Sequence, residues 1–259
     1  MSWSVRRRII YLLITLAVIG IAAFAVWYYC QPAPSCFDGI RNQDELGVDC
    51  GGLCPQVCPS ETVDPRVVWS RVFKIDDGVY DTAIFLENPN PRHGIKSLPY
   101  LIRVFDQNNI LITTIDGSTF LNPREQFVIF HSKLAVGKRV PARAIFEFVD
   151  PPVWQKVSRQ LPAISINKKD FTNSPRPSLV ATIRNESLEN VKDLVVVATI
   201  SDDEQNVMAV SSTLVDTLDQ GETKEIVFTW PKSFAAAPVA FDFYPHLDLT
   251  ALSANGRAI

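Results

Sequence analysis

Residues 82–90 read TAIFLENPN, and residues 179–187, 97 positions further on, read LVATIRNES. Each is a short run of β-branched and aromatic residues that ends on an asparagine in a turn, the pattern of a half-buried strand. The correspondence extends outward, with three residues at the same separation and longer stretches close to it. Asn88, Asp106 and Glu125 recur as Asn185, Asp203 and Glu222. YLIRVFDQNNIL (100–111) aligns with VVVATISDDEQNV (195–207), and NPREQFVIF (122–130) with DQGETKEIVF (219–228). Phe146-Glu147-Phe148 matches Phe241-Asp242-Phe243 at a separation of 95. A segment that recurs at a fixed period is the mark of a duplicated fold. Strand candidates at 67–73, 80–87, 99–105 and 127–131 are divided by Asp76-Asp77-Gly78, Asn88-Pro89-Asn90-Pro91 and Gln107-Asn108-Asn109, with no long helical period between them. A parallel α/β domain needs intervening helices. About seven short strands in a period near 97 residues fit an immunoglobulin-like sandwich instead.

Upstream, residues 9–29 (IIYLLITLAVIGIAAFAVWYY) contain no charge and follow Arg6, Arg7 and Arg8. About 20 apolar residues cross a hydrocarbon core of about 30 Å. The arginines place the N-terminus in the cytoplasm, and Trp27, Tyr28 and Tyr29 suit the far headgroup layer. The expectation is a retained signal-anchor with everything downstream extracytoplasmic. Ala23-Phe24-Ala25 also fits a leader-peptidase site, and cleavage there makes Val26 the first residue of a secreted protein.

The charge balance excludes nucleic acid as a partner: the chain carries 25 basic and 28 acidic residues, and three of the basic ones flank the anchor. All five cysteines lie between Cys30 and Cys58. Residues 36–58 (CFDGIRNQDELGVDCGGLCPQVC) form a turn-rich segment too small for a core of its own, and an extracytoplasmic setting makes disulfides its expected staples. Cys36, Cys50, Cys54 and Cys58 allow three pairings, and spacing does not choose among them. Cys30 is left over, and bulky Tyr28 and Tyr29 before it do not suit lipidation. Asp38, Asn42, Asp44, Glu45 and Asp49 interleave hard oxygen donors with glycines. They are candidate Ca²⁺ ligands as well as candidate turn-formers. Zinc on four thiolates is less compatible with C-x3-C steps outside the cell.

This segment resembles a short cysteine motif of surface and secreted proteins, C-x-D-G-x-x-N-x-x-E-x-G-x-D-C-G-G-x-C-x-x-C. It matches at Cys36, Asp38, Gly39, Asn42, Glu45, Gly47, Asp49, Cys50, Gly51, Gly52 and Cys54, and departs at the last step to Cys58. The resemblance implies an extracellular stalk or cap. Phe85-Leu86-Glu87-Asn88-Pro89-Asn90 resembles the late-embryogenesis-abundant type 2 sandwich. The second copy, at Asn185-Glu186-Ser187 and Asp219-Gln220-Gly221-Glu222, is similar to the FxLYD and CARDB sandwiches. These resemblances imply an extracytoplasmic binding or spacer module of the cell envelope.

The expected organisation is a cytoplasmic tail (1–8), a transmembrane helix (9–29), a cysteine-rich knot (30–60), two sandwiches (61–157 and 158–249) and a flexible tail (250–259). The fold class is mainly β, with two tandem antiparallel β-sandwiches. Asn185-Glu186-Ser187 is a glycosylation-type sequon, but its counterpart Asn88 lies outside any sequon, which favours a turn-capping role shared by both. His93, His131 and His246 read as surface residues at strand ends. Lys133, Lys138, Arg139 and Arg143 form a basic cluster suited to anionic lipid or wall polymer. No G-x-S-x-G elbow, phosphate loop, dinucleotide fingerprint or H-E-x-x-H motif is present, so catalysis is not expected. The resulting expectation is a membrane-anchored structural or interaction protein with a protein or glycan partner. The alternative is a ligand-binding module, with Ca²⁺ in the knot or lipid or wall polymer on the first sandwich.

Overall fold

The computed structural model describes residues 3–30 and 35–249, so the tail expected at 250–259 lies outside the described residues. The chain divides between Cys54 and Pro55 into two compact units.

The first unit begins with α1 (Trp3–Tyr29), 27 residues long with none of its side chains buried. It takes in Arg6–Arg8 as well as the apolar run, and it is long and apolar enough to cross a membrane. Beyond it, Cys36 is bonded to Cys54, and Cys50 is likewise disulfide-bonded. Gly52 sits at φ +52°, where a Cβ would come within 1.7 Å of the Asp44 carbonyl oxygen, so no other residue fits this turn.

The second unit contains two antiparallel sandwiches. In the first, β1 (Arg66–Asp76), β2 (Val79–Glu87) and β5 (Gln126–His131) form one sheet in the order β1-β2-β5. The other sheet is β4-β3-β6, from β3 (His93–Phe105), β4 (Leu111–Leu121) and β6 (Arg143–Phe148), with the short β7 (Trp154–Lys156) added beside β3. The second sandwich uses β8 (Ile164–Thr172), β9 (Ser178–Asn185), β10 (Val191–Ser201), β11 (Val207–Leu218), β12 (Thr223–Thr229) and β13 (Ala240–His246). Its sheets run β8-β9-β12 and β11-β10-β13, which reproduces the first connectivity strand for strand. Each sandwich has its own core: Ile84, Leu86, Ile102, Leu121 and Phe127 in the first, and Leu179, Ile183, Leu194, Ile200 and Phe228 in the second. The strand β4 is absent from the sequence expectation because Asp116-Gly117 breaks its pattern. Gly117 lies opposite Tyr100, whose ring fills the space a Cβ would need.

The asparagines at the corresponding turns of the two sandwiches, Asn88 and Asn185, are buried and make equivalent bonds. Asn88 donates its side-chain amide to the carbonyls of His93 and Asn122, and its oxygen accepts from Asn90. Asn185 donates to the carbonyls of Glu189 and Leu218, and accepts from the amide and hydroxyl of Ser187. The nitrogen that a glycan would use is therefore buried and occupied. Two details of the sequence alignment change. Asp106 Oδ1 accepts from the amides of Asn108 and Ile110, and the residue that makes the same bonds in the second copy, to Glu204 and Asn206, is Asp202 rather than Asp203. Ile102 pairs with Phe146 and its equivalent Ala198 with Phe243, so Phe146 matches Phe243 rather than Phe241. A one-residue change between the copies in the turn before β3 and β10 accounts for the first shift.

Candidate functional site

The two sandwiches meet along a seam built from residues that face away from both cores. On β2, Ile84 and Leu86 point into the first core while Ala83 and Phe85 point outward; on β10, Val196 and Ala198 point in while Val195 and Val197 point out. The outward sets meet each other. Phe73, Ala83, Val128, Val197 and Val210 are buried in one shared cluster, with Trp69, Phe85, Phe130 and Tyr244 packed on it. Phe85 lies between Trp69 and Tyr244, at centroid distances of 5.7 and 5.1 Å. The apolar centre has polar margins: Lys232 pairs with Asp76, and Arg71 donates to the Val207 carbonyl. This is the anatomy of a stable interface.

At the end formed by β13, the chain clasps the first sandwich. His246 lies flat between Phe120 and Phe127, with centroids 3.9 and 4.2 Å away and planes within 2° of parallel. Its Nδ1 is 2.8 Å from Glu125 Oε1 and its Nε2 is 3.3 Å from the Thr119 hydroxyl. Asn122 donates to the Leu247 carbonyl and accepts from the Leu249 amide. Glu125 Oε2 in turn accepts from the Asn122 amide and side chain, so this buried carboxylate is fully bonded. The expectation that the histidines are surface residues is thus corrected. His93 is buried beside the Asn88 turn, His131 is half-buried against the Tyr100 hydroxyl, and His246 fills an aromatic slot. Burial holds the pKa values of His93 and His131 below the ordinary histidine range.

At the opposite end of the seam, two open cavities of about 410 and 600 Å³ flank Asp76 and Trp230-Pro231. The larger brings Lys133 of the β5–β6 loop, Arg176 and the buried Asp81 to one cleft. Asp81 Oδ1 accepts from the Lys133 amide at 2.7 Å. Burial pushes its pKa up, against the pull of the Lys133 amide and charge. The folded state therefore holds this proton more tightly than the unfolded chain, and ionisation costs stability once the pH rises through the ordinary aspartate range. Asp81→Asn keeps the acceptor and removes the charge. It is expected to raise the melting temperature at pH 7, with the gain vanishing near pH 3. A lower melting temperature at pH 7 would contradict this assignment.

The other expected site residues are placed as follows. Arg139 pairs with Asp106 at 3.1 Å and Arg143 lies over the Phe105 ring. Lys138 is exposed, and Lys133 turns to the cleft, so the basic cluster is divided between two places. In the knot, the carboxylates face backbone amides. Asp49 accepts from Asp38 and Gly39, Asp38 from Ile40 and Ser35 and from the Asn42 side chain, and Glu45 from the amides of Asn42 and Asp49. These bonds hold the Asp38 pKa down, that to Ser35 most strongly. Asp44 is exposed. Among the described residues, the cluster with metal-ligand geometry is Cys36, Glu45 and Cys54. Its two sulfurs are bonded to each other and offer no thiolate. Asp38, Asn42, Glu45 and Asp49 are thus linked through one set of turn hydrogen bonds, and the Asn42 side-chain oxygen is buried there without a hydrogen-bond partner.

No family model matches the chain, and no curated protein matches it in sequence. Among solved structures it is similar to a red sea bream transglutaminase at 9% identity, over 70% of this chain and 31% of that one, with a TM-score of 0.22. The chain spans about a third of that protein's length, and a likeness this distant carries no argument.

Proposed function

We propose that the protein is a single-pass membrane protein, N-terminus cytoplasmic, that holds two immunoglobulin-like sandwiches outside the cytoplasm as one rigid arm for a protein or glycan partner. The seam carries this reading. Two modules that share a buried apolar cluster present their outer surfaces in a fixed relation, as recognition of an extended partner requires, whereas a flexible spacer has no use for such a layer. The apolar α1 beside Arg6–Arg8 supports an anchor, and cystines support an oxidising compartment. Partner contact through the strand edge at β8 is disfavoured, because a bulge between Lys168 and Asp170 and their exposed charges break that edge. The open faces and the cleft at Asp81 are the better surfaces. The orientation is tested by placing a cysteine at Asp203, an exposed hairpin tip, in a Cys30→Ser background, and treating intact cells with an impermeant maleimide. Labelling before lysis of a membrane-bound protein that retains the residues before Val26 is expected. Labelling only after lysis would reverse the orientation, and a mature chain starting at Val26 would remove the anchor.

A further inference from the structure

The knot is built inside out. Between Cys36 and Cys54 the large apolar side chains are Phe37, Ile40, Leu46, Val48 and Leu53, and all five are more than half exposed, Phe37 at 77% and Leu53 at 80%. The interior is taken by Cys50, Cys54 and the Glu45 carboxylate. Asp38, Glu45 and Asp49 turn to backbone amides and so withdraw charge from the surface. Cystines and carboxylate–amide bonds hold the module together, which frees its apolar residues from packing duty. Isolated exposed apolar residues are ordinary, but five of five in 19 residues are not.

Chain length identifies what covers them. Cys30 follows the last residue of α1, and five peptide steps lead from it to Ser35, a span of at most about 17 Å. The final turn of α1 exposes Trp27, Tyr28 and Tyr29, side chains that settle at the headgroup level. We propose that the knot docks on the outer leaflet of the membrane crossed by α1, with Phe37, Ile40, Leu46, Val48 and Leu53 entering the boundary between headgroups and acyl chains. This rests on the membrane-anchored reading above. With Arg41 and Asp44 the exposed charges and the other acids amide-bonded, the surface has no strong preference for anionic lipid, and zwitterionic phosphatidylcholine suffices.

The test uses the full chain in phosphatidylcholine vesicles, with an environment-sensitive fluorescent amino acid at position 53, 19 or 203. Position 53 is expected to be quenched severalfold more by lipid doxyl-labelled near the headgroup than by aqueous iodide, with the reverse at 203. Replacing Phe37, Ile40 and Val48 together by serine is expected to abolish the lipid quenching at 53 while these exposed positions leave the melting temperature unchanged. Iodide quenching at 53 equal to that at 203 would overturn the docking, as would a blue shift at 53 without doxyl quenching, which would signify a protein contact instead. Deep doxyl quenching at 19 reports the anchor independently: its loss would refute the membrane reading itself, and its presence without quenching at 53 would refute only the docking.

Discussion

Val197→Asp is expected to split the thermal unfolding of the two sandwiches into separate transitions. Val197 is buried, but against Phe73, Ala83, Val128 and Val210 in the seam rather than in the core of its own sandwich. An aspartate there leaves the second sandwich free to fold and makes closure of the seam bury an unpaired charge, at a cost of several kcal/mol. Opening the seam lets water solvate the charge. Calorimetry of the full chain should then show two transitions, each of about 65 kcal/mol for a sandwich of about 90 residues near 60 °C. Val196→Asp, one position away, points into the second core. It should abolish the second sandwich's transition altogether and leave the first. Identical behaviour of the two variants would contradict the assignment of faces.

Asn88→Ala should destabilise the protein by about 3 kcal/mol, because it removes the side-chain donor to the buried His93 and Asn122 carbonyls, leaving the latter only the 3.4 Å bond from the Glu125 amide, and the acceptor of the Asn90 amide, at about 1–3 kcal/mol for each buried group left without its partner. For a cooperative unit of about 200 residues this lowers the melting temperature by about 6–12 °C. Asn185→Ala should do the same through the carbonyls of Glu189 and Leu218. Asn88→Asp retains the acceptor but turns oxygen toward oxygen, and should be at least as damaging. Chemical denaturation of the three variants measures the effect; a loss below about 1 kcal/mol for both alanines would mean that the turns hold without these side chains.

The features legible in the sequence are those with local chemistry. Turns need particular side chains, so Asn88 and Asn185, with the aspartates at the hairpin tips, expose the shared connectivity. β2 and β10 also carried a signal of the seam: LVVVATI at 194–200 is apolar without alternation, the pattern of a strand covered on both faces. What covers the second face is a long-range fact that no local pattern encodes. His246 shows the same limit, because one histidine at a strand end gives no sign of the Phe120–Phe127 slot that receives it. The cystine pairing was open among three choices. The acidic residues of the knot read as calcium ligands and as turn-formers alike, because a carboxylate that binds a cation and one that caps a turn use the same lone pairs. Their spacing suits both, and the amides of residues 38–40 show the turn-forming role.

The shared seam is expected to make the two sandwiches one cooperative body. The heat-capacity trace of the unmodified full chain tests it most directly. A single transition whose calorimetric enthalpy equals its van't Hoff enthalpy is predicted. Two resolved transitions, or a calorimetric enthalpy near twice the van't Hoff value, would contradict it.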